Sequence, residues 1–174
     1  MQEYGRILLP VPNKLAVIIL NWRIINMDFK DQPFIPMLFG GDINTYSVAR
    51  AFYEEYQVKT YVFGKFPSGP SYNSNIIEYH ADLKIDTDDV FMKTVRDFAA
   101  AHADKTVLTI GCGDSYVALC SRHKDEMPEN VVAPYIDFEL MDRPQQKELF
   151  YRLCREHDID FRILLYSAME WIWI

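Results

Sequence analysis

Short apolar runs alternate with amphipathic segments along most of the chain after residue 33. Apolar runs that end at glycine, proline or polar residues are typical of buried strands, and these runs predict strands at 34–39, 58–63, 83–85, 106–110 and 131–135. Apolar positions spaced by three and four residues predict helices at 43–56, from the stretch 86–89 to about 102, at 114–124 and at 144–157. Strands and helices in alternation predict an α/β fold, in which a mostly parallel sheet carries helices on both faces.

The predicted helices have recognisable boundaries and apolar faces. Asp42 stands in the N-cap position of the first helix, because aspartate accepts hydrogen bonds from the first free amides of a helix. The acidic stretch 86–89 is a start signal for the second helix. The stretch 65–75 is rich in proline, glycine, serine and asparagine and predicts a loop. The residues predicted to face the core are Ile43, Val48, Ala51 and Phe52 in the first helix, and Val90, Phe91, Val95 and Phe98 in the second.

The beginning of the chain differs from its middle. Residues 1–33 keep no helical or alternating pattern, and we expect them to be an N-terminal extension of the domain at 34–143. Within that extension, the apolar residues 15–20 have two interpretations. They form an added edge strand, or they belong to a segment that precedes a biological start at Met27.

The end of the chain is also unusual. Residues 144–161 are predicted to be a helix that leads out of the main domain. Residues 162–174 form an apolar tail that ends on Trp171-Ile-Trp-Ile174 without a cap or turn residue. We expect this tail either to pack as a strand or, where it is exposed, to promote association with a second copy of the chain.

Charge and cysteine content exclude several classes of function. The net charge is −7, and the 18 basic residues are scattered, so the chain is not expected to bind nucleic acid. Its three cysteines form no CxxC pair, which predicts neither a disulfide framework nor a closed zinc site and favours a reducing cytoplasm. The apolar stretch 7–20 is interrupted by Pro10, Pro12 and Lys14, and it is shorter than the roughly 20 residues that a membrane span needs.

Two glycine-acid turns are the main candidates for a functional site. Gly40-Gly41-Asp42 and Gly111-Cys112-Gly113-Asp114 each lie where a predicted strand is followed by a predicted helix. In an open parallel sheet, small ligands bind outside the carboxyl ends of the strands. Glycine allows backbone N–H groups at a helix start to approach a ligand closely. We therefore expect both turns to lie on one rim and to face the same ligand.

Each of these features also has a structural interpretation. The first turn can be a tight bend with an N-cap at Asp42. The second lacks the third glycine of a dinucleotide motif and the lysine of a P-loop, so it is weak as a phosphate motif. Cys112 is either a nucleophile activated by a helix start or a packed turn residue, and no histidine is obviously supplied to it. The four histidines, His80, His102, His123 and His157, lack metal-ligand spacing and are interpreted as surface or capping residues.

Several ordered motifs resemble the start of an ATP-grasp carboxylate-amine ligase, and among these enzymes they resemble the D-aspartate ligases. The motifs are Phe34-Ile-Pro-Met-Leu-Phe-Gly-Gly-Asp-Ile-Asn-Thr-Tyr46, the loop from Gly64-Lys65 to Asn73-Ser74, Gly111-Cys-Gly-Asp-Ser-Tyr116, Pro134-Tyr-Ile-Asp-Phe-Glu-Leu140 and Lys147-Glu-Leu-Phe-Tyr-Arg-Leu-Cys154. The resemblance covers about residues 27–161. It implies a pre-ATP-grasp domain, a Rossmann-like three-layer sheet that forms one wall of a substrate cleft.

The resemblance also implies a chemistry and a set of residues. Such ligases activate a carboxylate with ATP and Mg²⁺ as an acyl phosphate, which an amine then attacks. The residues that would bind a carboxylate or amino-acid substrate are Gly40, Gly41, Asp42, Asn44, Gly113 and Asp114. Lys147 matches the lysine that opens the nucleotide-binding part of many ATP-grasp enzymes, although Gln146 precedes it where aspartate is usual. No catalytic residue or metal ligand is assigned within this chain.

After Asp160-Phe161 the pattern departs from the family, because neither the lid lysine nor the acidic magnesium ligands have counterparts. We therefore expect a chain truncated near Phe161, lacking the ATP-grasp domain as its partner, and without ligase turnover or tight ATP binding by itself. The alternative is a small nucleotide- or metabolite-binding module without catalysis.

Overall fold

Strands and helices alternate through residues 28–160, the part of the chain that the computed structural model describes. The strands are β1 (Phe34–Phe39), β2 (Thr60–Gly64), β3 (Ile77–Ala81), β4 (Thr106–Gly111) and β5 (Val131–Val132). The helices are α1 (Ile43–Tyr56), α2 (Gly69–Tyr72), α3 (Asp88–Ala101), α4 (Asp114–Arg122), α5 (Phe138–Gln145) and α6 (Lys147–Glu156). A 3-10 turn, Lys124–Glu126, follows α4. The predictions for 15–20 and 162–174 lie outside the described residues.

The five strands form one parallel sheet in the order β3-β2-β1-β4-β5. Helices flank the sheet on both faces, so the α/β fold class and its Rossmann-like three-layer architecture are confirmed. The chain builds outward from β1 to β2 and β3, and then crosses back to place β4 on the other side of β1. The strand order therefore changes direction between β1 and β4.

Two apolar clusters hold the layers together, one on each face of the sheet. On one face, Phe39 and Val107 pack with Phe91 and Val95 of α3 and Leu119 of α4. The other face is covered by α1, and its cluster includes Leu38, Val62, Ala49, Phe52 and Tyr53. Alternate residues of a strand point to opposite faces of the sheet. Leu38 of β1 therefore packs in the cluster on the α1 face, and Phe39 packs in the cluster on the other face.

The third strand lies outside the predicted segment. A strand was expected at 83–85, but these residues form turns, with Leu83 65% exposed. The amide of Lys84 donates a hydrogen bond to the Asp82 carboxylate and fixes the turn. The strand is β3, which carries polar residues because it forms the edge of the sheet.

The packing face of α1 is also different from the predicted one. Ile43 is 60% exposed and Ala51 is exposed, whereas Thr45 and Ala49 are fully buried. Small side chains at those two positions allow the helix to lie close to the sheet. In α3, by contrast, Phe91, Val95 and Phe98 are buried as predicted.

Three further boundaries differ from the sequence predictions. The predicted loop 65–75 contains the short helix α2, and the strand predicted at 131–135 is reduced to β5. The helix predicted at 144–157 becomes two helices, which meet at Gln146 in an extended conformation. The predicted start at Pro144 is wrong, because this residue lies near the end of α5. Here α5 begins earlier, at Phe138, whose ring lies 4.9 Å from the guanidinium carbon of Arg122.

Candidate functional site

The two glycine turns lie next to each other at one edge of the sheet. Phe39, the last residue of β1, pairs with Gly111, the last residue of β4. Beyond that pair, the amide of Cys112 donates a hydrogen bond of 2.8 Å to the carbonyl oxygen of Phe39. The turns thus follow directly from adjacent strand ends, at the point where the strand order changes direction. In open α/β sheets this is the position where small ligands bind.

A groove of about 500 Å³ opens between these turns. Its volume falls within the roughly 300–1,000 Å³ that is typical of small-molecule sites. The predicted residues that line it are Gly40, Gly41, Asp42 and Gly113, whereas Asn44, Asp114 and Lys147 are not among its lining residues. Asn44 and Asp114 lie in the first turns of α1 and α4, and Lys147 is the exposed first residue of α6. Ligand contact by any of the seven stays a prediction.

Asp42 caps helix α1. Its Oδ1 accepts hydrogen bonds from the amides of Asn44 and Thr45 and from the Thr45 hydroxyl, each at 3.1 Å. Its Oδ2 accepts another from the Asn44 side-chain amide at 3.1 Å. Burial acts to raise the pKa of Asp42, but the bonds from Thr45 and Asn44 outweigh it and hold the pKa below its ordinary value. The carboxylate is therefore a fixed negative charge on the groove wall.

The opposite charge in the groove comes from Lys65. This residue follows directly after β2, and its ammonium lies 2.7 Å from the Asp86 carboxylate. The Lys65 side chain lines the groove and remains 39% exposed, and the ion pair with Asp86 positions its ammonium. The groove wall thus combines one held carboxylate with one held ammonium.

Two tyrosines shape the apolar part of the groove. The Tyr79 hydroxyl donates a hydrogen bond of 2.7 Å to the carbonyl of Phe66, which ties the 65–68 segment to the edge strand β3. The Tyr116 ring packs against the Phe39 ring, with centroids 6.2 Å apart. Burial raises the pKa of Tyr116 to about 12. Both phenols are therefore neutral at physiological pH.

The glycines of the groove are required by close packing. A Cβ at Gly41 would lie 2.6 Å from the Tyr79 hydroxyl oxygen. A Cβ at Gly64, which ends β2, would lie 2.3 Å from the backbone oxygen of Gly40 as well as 2.1 Å from that hydroxyl. At Gly40, φ is +147°, a conformation that other residues rarely adopt. These positions need glycine for the fold itself, whatever the groove binds.

Cys112 is a packed turn residue. Burial raises the pKa of its thiol to about 11, and a hydrogen bond with Thr45 lowers it by less. A thiol with such a pKa is protonated at neutral pH and is a poor nucleophile. The interpretation of Cys112 as an activated nucleophile is therefore wrong. All three cysteines, Cys112, Cys120 and Cys154, are free.

The histidines of the described region have structural contacts. The His80 ring stacks on Phe63 with centroids 4.9 Å apart, and His123 Nε2 lies 2.6 Å from the Asp88 carboxylate. Between residues 28 and 160, no three His, Cys, Asp or Glu side chains are grouped so that they could hold a metal ion. In the same range, every helix is too short or too polar to cross a membrane.

Sequence reasoning missed Lys65, Ser115, Tyr79 and Tyr116 as groove residues. Lys65 could have been found, because it follows the end of β2 as Gly40 follows the end of β1. Ser115 and Tyr116 belong to the first turn after Gly113 and follow from the same rule. Tyr79 could not be found, because β3 itself was placed at the wrong residues.

Fold and groove together define an α/β domain with a groove at the carboxyl edge of its parallel sheet. A 135-residue stretch of the chain is 36% identical to a D-aspartate ligase of Enterococcus faecium (strain Aus0004). The match covers 76% of this chain and 32% of the ligase, so the chain spans about a third of that relative's length. The identity supports a relationship to a ligase family. No protein-family model matches the chain, and no solved structure matches it.

The glycine packing predicts a specific coupling. Gly41→Ala should destabilise the wild-type protein by about 1 kcal/mol, because the new methyl group overlaps the Tyr79 hydroxyl. In a Tyr79→Phe background the nearest ring carbon is 3.5 Å away, and the same change should be neutral or stabilising. Urea unfolding of the four proteins measures the coupling.

Gly64→Ala is the matched control for this cycle. Its methyl group overlaps the backbone oxygen of Gly40, which Tyr79→Phe does not move, so it should destabilise in both backgrounds. Equal costs for Gly41→Ala with and without the tyrosine hydroxyl would contradict the packing argument.

The cap at Asp42 predicts a pH-dependent contribution to stability. Its folded pKa lies below the ordinary value of 3.8, so the carboxylate stabilises the fold above that pH. This stabilisation is lost as the pH falls through the lower, folded pKa. Asp42→Ala should cost about 1 kcal/mol at pH 7, and the difference from wild type should shrink below pH 3.8. Urea unfolding between pH 3 and pH 7 tests this, with Asp42→Asn as an uncharged capping control whose stability relative to Asp42→Ala stays constant.

Proposed function

We propose that the groove binds a small amino acid and forms one wall of the substrate site of an ATP-dependent carboxylate-amine ligase. The observation that carries this proposal is the placement of Asp42 and Lys65 in one groove, at the carboxyl edge of the sheet. A free amino acid presents an ammonium and a carboxylate a few ångströms apart. A groove with one charge of each sign complements such a ligand better than it complements a simple anion.

The groove also favours a compact ligand over a nucleotide. Four hydrogen bonds hold the Asp42 carboxylate in its ionised form, and its negative charge opposes a phosphate at the start of α1. Three of its walls are Phe66, Tyr79 and Tyr116, whose neutral rings supply apolar contact. The similarity to a D-aspartate ligase supports the same ligand class. We propose D-aspartate as the first compound to test.

ATP and Mg²⁺ are the cofactors that a ligase of this kind implies, and the described residues do not fit them. Between residues 28 and 160 there is no cluster of carboxylates suited to a metal, and Lys147 lies outside the groove. We propose that the nucleotide is held by a separate ATP-grasp domain, and that this chain contributes the substrate wall, working as a domain that needs this partner.

Binding is tested by titrating the ¹⁵N-labelled chain with D-aspartate and following its amide resonances. We expect saturable shifts at Gly40, Gly41 and Gly113, and no comparable shifts at Ala99–Ala101, the end of α3 that lies at the opposite edge of the sheet. Ser115→Tyr places a ring in the groove and should weaken binding at least tenfold. Ala103→Tyr, an exposed position away from the groove, should bind like wild type. The absence of shifts with D-aspartate, L-aspartate, succinate and D-alanine would refute the proposed ligand class.

Turnover by the isolated chain is a separate prediction. Catalysis requires the reacting groups to be held together in one geometry, and the groove supplies one side of it. Incubated with ATP, Mg²⁺ and a panel of amino acids, the chain should release phosphate at the background rate. Phosphate release that depends on an amino acid and disappears in Ser115→Tyr would show that the chain is a complete enzyme. Tight binding of ATP alone would instead favour a nucleotide-binding module without catalysis.

A further inference from the structure

Half of one sheet face lacks a covering helix within residues 28–160. The cluster on the α1 face takes its helical residues from α1, and none from α3, α4, α5 or α6. Val107 of β4 belongs to the opposite cluster, so Leu108 and Ile110 point to the α1 face by alternation. Val132 of β5 pairs with Leu108 and is 44% exposed. Leu108 and Ile110 are half-buried, so residues 28–160 cover the apolar face of β4 and β5 only in part.

An apolar groove on the flank of α1 accompanies this open strip. Its volume is about 470 Å³, and its lining residues are Ser47, Val48, Ala51, Phe52, Glu55 and Tyr56. The ring centroids of Phe52 and Tyr56 lie 6.3 Å and 5.2 Å from the ring centroid of Phe34, the first residue of β1. All-parallel sheets occur almost always with both faces covered. An exposed apolar surface of this kind marks a contact site.

We propose that residues 15–20 of this same chain cover the α1 groove and the adjoining strip of β4 and β5. Leu15-Ala16-Val17-Ile18-Ile19-Leu20 is an uninterrupted apolar sequence, and it is chemically matched to a surface of valine, leucine and aromatic side chains. The proposal is independent of the ligand bound at the carboxyl edge.

The described chain begins beside α1, which places residues 15–20 within reach. The Phe29 ring lies 5.8 Å from Tyr53, and the Gln32 side chain donates a hydrogen bond to the carbonyl of Tyr56. The seven residues 21–27 can span up to about 23 Å. Helix α1, with 14 residues, is about 21 Å long. The connection is therefore long enough to reach any part of the groove.

The tail 162–174 is also apolar, but it follows α6, which belongs to a different layer of the fold from α1. Helix α6 packs on α5, and α5 packs on α4. Leu119 and Cys120 of α4 belong to the cluster on the opposite face of the sheet. The segment that precedes residue 28 is thus the nearer occupant of the α1 face.

The rate of thiol labelling tests this proposal in the full-length chain. Ala51→Cys places a reactive thiol in the groove, and its alkylation by iodoacetamide is followed by peptide mass spectrometry. We expect labelling to be at least tenfold faster when Ile18→Asp and Ile19→Asp are added, because the charged segment no longer covers the groove. Cys120, fully buried in the opposite cluster, must stay unlabelled in both proteins and reports that the fold is intact.

Ala100→Cys is the matched control, since Ala100 is exposed on α3, on the other side of the sheet. Its labelling rate should not respond to the changes at Ile18 and Ile19. Fast labelling of Ala51→Cys in the otherwise unchanged chain would overturn the proposal. So would protection that increases with protein concentration, which indicates a second copy. Protection lost with Ile172→Asp but kept with the changes at Ile18 and Ile19 would assign the groove to the tail instead.

Discussion

The parallel pairing of β1 with β4 is the constraint on which the rest of the structure depends. Six consecutive residue pairs join the two strands, and the Cys112 amide extends the pairing beyond Gly111. Side chains alternate between faces, so a shift by one residue would move Phe39 from one cluster to the other. Phe39 is fully buried, and its ring centroid lies 4.6 Å from that of Phe91. Such a shift would destabilise the fold, because it would remove this packing. The register that buries Phe39 also aligns the two turns.

Local signals explain what could be predicted from the sequence. β1 and α1 have the predicted bounds, because an apolar run, two glycines and a capping aspartate follow one another without ambiguity. β3 could not be predicted from an apolar run, since it contains Glu78 and His80 at the sheet edge. Its side chains are stabilised by distant contacts, such as the stacking of His80 on Phe63, which the local sequence does not reveal.

The candidate site was likewise predictable only where local signals determine its residues. Sequence reasoning placed Gly40, Asp42 and Gly113 correctly on one rim, because the carboxyl ends of neighbouring parallel strands meet at one edge. It did not find Lys65 as a groove residue, although the same rule applies to the end of β2. The role of Tyr79 depends on a hydrogen bond to Phe66 across the groove, so it required the strand pairing to be known.

The glycine-acid motifs of this chain are explained twice, by the fold and by the proposed ligand. Gly41 and Gly64 are needed because Tyr79 and the Gly40 carbonyl leave no space for a Cβ, and Asp42 is needed as a cap. Similar turns in a related ligase therefore do not by themselves indicate a shared substrate. Lys65 is the more informative residue, because it lines the groove and is not required by the packing of the turns. Lys65 is paired with Asp86 and Asp42 caps α1, so the two opposite charges that line the groove are each held by a different part of the fold.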